Sequence, residues 1–283
     1  MSTKEIALNY PIAYINHILQ NAPFFKPVQK GKREINLIIN HKYSNGDSMT
    51  IFAQEQLDIK DEDLFLSILA ITYISFRGTL IDSSSELYKD LNSNFETMKS
   101  IKITTTRYEL LKELNISPQS TTSIKWVEAS LNRLRSTKFI LNTNKLDGEY
   151  MSRLISFKIS TTSSNTKIIE IALNTYICNN FLQSNILKGG IISHNRQERM
   201  SLKKEISRAL HSYLNALVNV KKSRLFNINT LVEKLYRVDI NTINKYNKSK
   251  KRKSIKDGLV EINNLELWEI DFIASDLVKI IRK

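Results

Sequence analysis

One order of secondary-structure patterns occurs twice along the chain, and it limits the possible folds more than any other feature of the sequence. In the first half, helical and strand spacings of apolar residues predict a helix, a short strand, two helices and further strands, over residues 61–73, 101–103, 107–115, 122–135, 139–142, 154–159 and 168–173. The same order returns in the second half, over residues 201–217, 226–228, 230–238, 241–265, 268–272 and 277–281. Helix, strand, helix, helix, hairpin is the order of the winged-helix fold, a helix-turn-helix variant. The repeat therefore predicts an α+β fold with two tandem winged-helix domains.

The boundary between the two units is predicted where the periodicity lapses, around Asn179–Asn195. We expect an N-terminal domain over residues 1–180 and a C-terminal domain over residues 190–283. A chain of 283 residues with 41% hydrophobic residues is long and apolar enough to bury a core in each of them.

Three segments of the first domain lie outside the repeated order. Residues 1–30 are expected to form an arm or a short helix that packs onto the body, and residues 76–100 an irregular insertion. The Ser-Asn-Gly-Asp sequence at 44–47 predicts a tight turn between two strands. Asn-Gly is favoured in such turns where both central residues need positive φ.

The most basic stretch of the chain falls on the third helix of the second unit, within residues 241–265. It carries seven cations before its first acid, Asp257: Lys245, Lys248, Lys250, Lys251, Arg252, Lys253 and Lys256. A helix that enters the major groove of DNA with its N-terminus first presents polar and basic side chains there. The candidate DNA-binding residues of this helix are Lys248, Ser249, Lys250, Lys251, Arg252, Lys253 and Lys256.

The opposite side of this basic helix is apolar, with Ile255, Leu259 and Ile262 at helical spacing. Asn247 or Ser249 is expected to cap the helix, since short polar side chains accept hydrogen bonds from the first free backbone N–H groups. Gly258 is costly inside a helix. It therefore indicates either close packing against another element or a shorter helix.

In the first unit, the candidate base-reading residues lie at the N-terminal end of the third helix: Thr121, Thr122, Lys125 and Trp126. Threonine can contact a thymine methyl group and lysine can reach guanine. Trp126 has an equally good alternative as a core or interdomain aromatic. Arg133, Arg135 and Lys138 lie toward the following hairpin, where contact with phosphates is expected rather than base reading.

Charge and composition restrict the partner and the compartment. The formal net charge of +14 points to an anionic partner, nucleic acid or a lipid surface. No apolar run is long enough for a transmembrane helix, and the N-terminal sequence lacks the apolar core of a signal peptide. The single cysteine, Cys178, excludes an intramolecular disulfide and is interpreted as a small core residue. We expect a cytoplasmic protein that does not bind membranes.

The sequence contains no recognisable catalytic or metal-binding motif. The four histidines show no H-x-H or H-E-x-x-H grouping, and Gly31-Lys32 lacks the glycine and hydroxyl residue of a phosphate-binding loop. The acidic pairs Asp61/Asp63 and Glu269/Asp271 fall at a helix start and on a strand, where a structural role is favoured. Trp268 and Phe272, on that strand, are predicted to be core. We predict no enzymatic activity, no cofactor and no metal site.

Residues 24–275 contain six segments with a shared pattern: FFKPVQKGKREINLIINHKYSNGDSMTIF, DLFLSILAI, IKWVEASLNRLRSTKFIL, SLKKEISRALHSYLNAL, INTLVEKLY and KSKKRKSIKDGLVEINNLELWEI. In these segments and in their order, the chain resembles the plasmid replication initiators typified by the RepC protein of IncQ-type plasmids. These are patterns of helix faces and basic residues. The chain departs from the family in its lysine-rich third helix of the second unit and in a shorter, polar stretch around residues 175–195.

The resemblance implies a tandem winged-helix protein that binds directly repeated sites, called iterons, in double-stranded plasmid origin DNA. In that family, binding helps to open a neighbouring AT-rich segment so that the replicative helicase can be loaded. It places DNA reading at Thr121–Lys125 and at Lys248–Lys256. A replicative helicase and a second copy of the chain are the further partners that the resemblance suggests.

Three alternatives remain open from the sequence. A transcriptional regulator or autoregulator would use the same two helices without melting an origin. A rolling-circle nicking enzyme would need a metal-binding histidine pair beside a nucleophilic tyrosine, and no such cluster is visible. A membrane-surface protein would need a broad apolar helix face without a partner, whereas each apolar stripe here has one within its own unit.

Overall fold

The computed structural model describes residue 8 and residues 10–28, 32–74, 78–94, 97–143, 148–163, 166–182 and 191–283. It is a mixed fold of helices and antiparallel sheets. Up to residue 182 the elements are β1 (Ile12–Asn16), α1 (His17–Asn21), β2 (Ile35–Lys42), β3 (Ser48–Glu55), α2 (Ile59–Ile74), β4 (Thr79–Ile81), α3 (Glu86–Leu91), β5 (Ser100–Thr106), α4 (Arg107–Glu113), α5 (Thr121–Ser136), β6 (Lys138–Asn142), β7 (Tyr150–Arg153), β8 (Ile155–Thr161), β9 (Lys167–Leu173) and α6 (Thr175–Leu182). From residue 191 they are β10 (Ile191–Asn195), α7 (Arg196–Ser201), α8 (Glu205–Leu217), β11 (Lys222–Asn227), α9 (Ile228–Tyr236), α10 (Lys245–Asn263), β12 (Trp268–Phe272) and β13 (Leu277–Arg282).

The predicted order of elements is present in both halves, and the same pairing of strands goes with it. In the first half, α2, β5, α4 and α5 precede the strands β8 and β9, and β9 pairs with both β5 and β8. In the second half, α8, β11, α9 and α10 precede β12 and β13, and β13 pairs with both β11 and β12. The last strand therefore lies in the middle in both halves: β9 between β5 and β8, and β13 between β11 and β12. We call these two groups of elements the first unit and the second unit.

The first unit also carries a second sheet, in the order β2-β3-β6-β7. β6 was predicted as the first strand after the third helix of this unit, and it pairs with β3 and β7 of this second sheet. The strand pattern was correct, but the chain inserts β6 and β7 between α5 and β8. The predicted irregular insertion at 76–100 was also wrong in part, because β4 and α3 lie within it.

The turn between β2 and β3 differs from the expected one. Only Gly46 has positive φ, at 90°, while Asn45 does not. Gly46 N–H donates to the carbonyl of Tyr43, and Tyr43 N–H donates to the carbonyl of Asp47. This is a three-residue loop with glycine in the left-handed region, the next commonest hairpin connection after the two-residue turn.

The N-terminal segment is a strand followed by a short helix, where only an arm or a helix was expected. β1 pairs antiparallel with β10, from Ile12 opposite Asn195 to Asn16 opposite Ile191. This two-stranded sheet joins the start of the chain to the segment that leads into the second unit. Phe25, shortly after α1, packs against the cores of both units.

Each unit buries its own hydrophobic core. The first core is built around α2, whose apolar residues from Leu64 to Ile71 are no more than 1% exposed on every side of the helix. A helix that is apolar all round must be surrounded by other elements, and burying each large apolar side chain contributes about 1.5–3 kcal/mol. The second core collects side chains from α8, α9, α10 and the three-stranded sheet, with Trp268 1% exposed within it. Phe272, by contrast, is 43% exposed, so its assignment to the core was wrong.

The first turn of α2 joins the two units through buried ion pairs. Its carboxylates Glu62 and Asp63 both pair with Arg199 of α7, at 2.9 and 2.6 Å. The other oxygen of Asp63 accepts a hydrogen bond from Arg208 of α8, at 2.9 Å. Burial would lower the pKa of Arg199, but the charges of Glu62 and Asp63 outweigh this and raise it. Because removing one partner of a buried ion pair costs about 3–5 kcal/mol, this junction fixes α8 against α2.

Candidate nucleic-acid interface

The third helix of the first unit, α5, exposes its N-terminal end. Ser120 caps it, because its hydroxyl oxygen accepts a hydrogen bond from Ser123 N–H at 3.3 Å. One face is buried against the first core through Val127, Leu131 and Leu134, as the sequence pattern predicted. The exposed residues on the other face are Thr121, Thr122, Lys125, Ala129 and Asn132. This face therefore carries mainly small polar side chains and one cation, Lys125.

Trp126 lies beside this face without being part of it. Its side chain is half-buried and packs against the first core. The indole borders a cavity of about 460 Å³ together with Thr122, Met200 and Arg208. Of the two interpretations of Trp126 from the sequence, the structure favours the aromatic that packs between elements.

Arg133 was predicted to contact phosphates, and the structure contradicts this. The residue is 8% exposed, and its guanidinium donates from Nε and Nη2 to the carboxylate of Asp61, with Nη2 at 2.8 Å from Oδ1. Burial would raise the pKa of Asp61, but the hydrogen bond and the charge of Arg133 outweigh it and lower that pKa. Arg133 therefore balances a buried acid of α2 and is closed to DNA.

Arg135 and Lys138 lie at the other end of α5, away from its exposed N-terminus. The Arg135 guanidinium donates to both oxygens of Asp90, at 2.7 and 2.9 Å, which raises the pKa of Arg135. The side chain is still 40% exposed. Lys138 is the half-buried first residue of β6. Since a helix rises about 1.5 Å per residue, these two cations lie on the order of 20 Å from Thr121 along the helix axis.

The basic helix α10 begins earlier than predicted. Asn244 caps it, accepting a hydrogen bond from Asn247 N–H at 2.8 Å, so neither Asn247 nor Ser249 is the cap. The predicted stripe is buried, with Ile255, Leu259 and Ile262 each 0% exposed. Asn247 and Ser249 are therefore helical residues on the first turns.

Gly258 marks close packing and not the end of a helix. A Cβ atom at this position would lie 2.7 Å from Leu210 Cδ1 of α8 and 3.4 Å from Ser207 Oγ. The absence of a side chain lets α10 lie directly on α8. Ser207 in turn donates its hydroxyl hydrogen to the carboxylate of Glu261, one turn farther along α10. This packing sets the direction in which the opposite face of α10 is presented.

The predicted cations of α10 divide into two groups. Lys251 and Arg252 are held by the second unit itself: the Lys251 ammonium lies 3.8 Å from the centroid of the Tyr236 ring, and Arg252 forms an ion pair with Asp276 of the β12–β13 loop. Burial first, then the charges of Lys26 and Lys250, lower the pKa of Lys251. Lys248 and Lys256 are half-buried. The predicted residues that are exposed are Ser249, Lys250 and Lys253.

Two exposed residues on these surfaces were not among the predicted DNA-binding residues. Tyr246, on the first turn of α10, is 74% exposed. It was overlooked because the helix was expected to begin later; the Asn244 cap was the available signal. Asn132 continues the exposed face of α5, at the helical spacing of seven residues from Lys125. An exposed amide and an exposed phenol can both donate and accept hydrogen bonds.

The loop between β12 and β13 adds an apolar feature next to this surface. Phe272 and Ile273 are 43% and 56% exposed. Two links fix the loop: Arg252 pairs with Asp276, and the Asp276 carbonyl accepts a hydrogen bond from Ile228 N–H at 2.8 Å. The loop therefore has a defined position relative to the cations of α10.

Three of the acids singled out in the sequence, and the single cysteine, have structural roles. Asp61 and Asp63 are held in the ion pairs above, and Glu269 lies 3.5 Å from the Lys283 ammonium. Cys178 is fully buried, which raises the pKa of its thiol to about 12, as its interpretation as a core residue requires. Among the described residues, no three His, Cys, Asp or Glu side chains converge in a way that would hold a metal ion. Within the same part of the chain, no helix has the length and hydropathy to span a membrane.

Comparison with known proteins identifies a solved structure with a similar fold. No model of a known protein family matches the chain, and no curated protein matches it. Among solved structures, the chain is similar to the crystal structure of a Pi initiator protein in complex with iteron DNA. The two share 12% sequence identity, the superposition covers 97% of each chain, and the TM-score is 0.50. At this identity the match establishes that the chain shares the overall fold of that DNA-bound initiator.

Proposed function

We propose that this chain is a plasmid replication initiator that binds repeated sites, iterons, in double-stranded origin DNA. The observation that carries the proposal is the common geometry of α5 and α10. Each begins at a capped and exposed N-terminus, buries one face in the core of its own unit and leaves a polar face free. A helix of this kind fits the major groove. The fold shared with an initiator crystallised on iteron DNA supports the same conclusion.

In this proposal the two units are tandem winged-helix domains, over residues 1–180 and 190–283. The strand pairing in each unit, with the last strand between the other two, supports it. The buried junction of α2 with Arg199 and Arg208 would hold the two readers at a fixed separation. The DNA would then be contacted at two major-groove faces, and the strand loops would lie against the phosphates.

The residues proposed to contact DNA are among those whose side chains are exposed on α5 and α10. In the first unit, base reading falls to Thr121, Thr122 and Lys125, with Asn132 farther along the groove. In the second unit, Tyr246, Ser249 and Lys250 face outward at the start of the helix, and Lys253 lies one turn later. Lysines at these positions also neutralise phosphates. Lys251 and Arg252 act by fixing the helix and the adjacent loop.

The initiator role extends beyond binding, to opening of an adjacent AT-rich region and loading of the replicative helicase. Bending or untwisting of the duplex would be driven by binding energy, because proteins that deform DNA recover the deformation cost through additional contacts. We propose neither catalytic activity nor a cofactor for this step. The assignment to the RepC-type family and a cytoplasmic place of action, where plasmid DNA is found, belong to the same proposal.

A salt series tests the proposal. The full chain is titrated with a duplex carrying the direct repeats of its own origin and with a scrambled duplex of equal composition. If about five phosphates are neutralised, log K falls against log salt with a slope of about −4 to −5. We expect a strong preference for the repeats together with this slope. Equal affinity for both duplexes would reject sequence-specific binding.

Melting distinguishes an initiator from a regulator that binds the same repeats. On a supercoiled plasmid with the repeats and their AT-rich neighbour, permanganate reactivity of thymines reports unpaired bases. We expect reactivity in the AT-rich segment only when the chain and the repeats are both present. Specific binding without any reactivity would favour the transcriptional regulator.

A further inference from the structure

A cavity of about 310 Å³ lies between the two units, apart from the proposed DNA-binding faces of α5 and α10. Its walls come from both cores: Leu19 and Ile39 from the first unit, and Ile59, Ala209 and Leu235 from the second core. This volume is within the range of ligand-binding pockets, which are mostly apolar with a few placed polar groups. Its polar groups include three basic side chains, those of His41, Lys234 and Arg237.

Arg237 is the residue that distinguishes this cavity from an ordinary gap. Its Nη2 donates to the carbonyl of Phe25 at 2.9 Å, whereas its Nη1 is buried and has no hydrogen-bond partner among the described residues. A buried donor without a partner costs about 1–3 kcal/mol. The left-handed backbone of Arg237, with φ of 53°, is explained by its position at the end of α9, where helices commonly adopt this conformation. Its unsatisfied nitrogen has no such structural explanation.

Two further basic side chains lie near Arg237. His41 and Lys234 border the same cavity. Burial lowers the pKa of His41, and the nearby charges of Lys234 and Arg237 lower it further. Burial also lowers the pKa of Arg237 to about 10, with only the charge of Glu34 opposing it. A nearby anion favours the charged form of a basic group and would therefore oppose the lowering of both pKa values.

Two acids, Glu62 and Glu233, also line the cavity. Glu62 forms an ion pair with Arg199 at 2.9 Å, and the Glu233 carboxylate accepts a hydrogen bond from Ile240 N–H at 3.3 Å. Neither forms a salt bridge to Arg237 in the described part of the chain. The free hydrogen-bonding capacity of Arg237 therefore points to an anion from outside the chain.

We propose that this cavity binds a small anion, a phosphate or carboxylate group on a compact apolar body, with Arg237 as its principal contact and Lys234 and His41 beside it. The guanidinium suits an oxyanion because it donates several hydrogen bonds in one plane. The apolar walls suit an aliphatic or aromatic body. Because residues of both units line the cavity, the bound anion would stabilise their association. The proposal is independent of the DNA-binding function.

Thermal unfolding of the full chain tests the site, since a ligand that binds only the folded state raises Tm in a saturable way. The probes are phenyl phosphate, inorganic phosphate and phenol, at constant ionic strength maintained with potassium chloride. We expect saturable stabilisation by phenyl phosphate, weaker stabilisation by inorganic phosphate and none by phenol. No saturable rise with either anion would overturn the proposal.

Variants assign the effect to the cavity. Arg237→Met should abolish the rise in Tm produced by phenyl phosphate. Arg107→Met is the matched control: it removes another guanidinium with a buried, unpartnered nitrogen, on α4 and outside the cavity, and should retain the full rise. If Arg237→Met does not fold, Lys234→Met decides the question, because the side chain of Lys234 is exposed. Titration calorimetry should show at least a several-fold weaker affinity for it, and unchanged affinity would reject the site.

Discussion

At the scale of single residues, the partners of each cation decide what it can do. Arg133 and Lys125 are both on α5, two turns apart, and both were candidates for DNA contact. Arg133 points to the acids of α2 and is buried, whereas Lys125 is exposed. A buried guanidinium paired with Asp61 cannot reach a phosphate without breaking that pair. Its contribution is therefore to stability.

Replacing Arg133 by methionine tests this assignment. Breaking a buried ion pair costs about 3–5 kcal/mol, and Arg33, which remains 3.1 Å from Asp61, should keep the loss near the lower end. We expect the free energy of unfolding in urea to fall by about 3 kcal/mol. Arg135→Met, at a partly exposed pair, is the control and should cost about 1 kcal/mol or less. If the Arg133→Met protein had normal stability but a smaller slope of log K against log salt for DNA binding, the structural role of Arg133 would be contradicted.

Tyr246 and Lys253 provide a second test at this scale, because both are exposed on α10 and differ in chemistry. If Tyr246 contacts a base edge, Tyr246→Ala should reduce the preference for the repeats over scrambled DNA by about 1–3 kcal/mol. Lys253→Ala should weaken binding to both duplexes alike and reduce the salt slope by about 1. Competition binding at several salt concentrations measures both quantities. Equal effects of the two substitutions on the preference would reject the division of roles.

At the scale of elements, sequence patterns predicted the helices better than the strand partners. The buried stripes of α5 and α10 were correct because helical spacing is a local property. The placement of β6 could not be predicted, since pairing with β3 depends on a chain segment about 90 residues away. The cap of α10 was missed for a related reason: Asn244 and Asn247 are equally good capping residues, and tertiary packing decides where α10 begins.

The contact of α10 with α8 yields a prediction for Gly258. Alanine at this position gains about 1 kcal/mol of helix propensity, but its Cβ would lie 2.7 Å from the buried Leu210 side chain. Overpacking costs about 1–3 kcal/mol. We expect Gly258→Ala to lower the free energy of unfolding by about 1 kcal/mol.

Leu210→Val provides the control for this contact, because it shortens the side chain that the new Cβ would meet. The two substitutions together should cost less than the sum of their separate costs, as expected for residues in direct contact. Urea unfolding of the four proteins of this double-mutant cycle measures the coupling. Additive costs would show that the helix–helix contact does not determine the need for glycine.

At the scale of the whole molecule, the junction between the units is built from charges and also buries two histidines. His194 on β10 is 0% exposed, and neither of its ring nitrogens has a hydrogen-bond partner among the described residues. Burial first, then the charges of Arg199, His211 and Arg282, place the pKa of His194 well below 6.5. His211 is equally buried, and its Nε2 lies 3.1 Å from the Glu198 carboxylate. The junction therefore requires His194 to be neutral.

This requirement makes stability depend on pH in a definite direction. The unfolded chain binds a proton at His194 below pH 6.5 whereas the folded chain does not, so the contribution to stability is complete above that pH and is lost as the pH falls. The loss is up to about 1.4 kcal/mol per pH unit. Asp58, whose pKa burial and then Asp61 raise to about 6, contributes with the opposite sign below that pH.

The His194→Leu variant separates these contributions, because Asp58 titrates in both proteins and cancels in their difference. Leucine satisfies an apolar site and cannot be protonated. Urea unfolding from pH 7.5 down to about pH 5 should therefore show wild type losing stability relative to the variant below pH 6.5, by up to about 1.4 kcal/mol per pH unit. Parallel curves for the two proteins would mean that His194 gains a proton partner in the folded state. The junction would then accommodate a protonated His194, and protonation of this residue at low pH would not weaken the association of the two units.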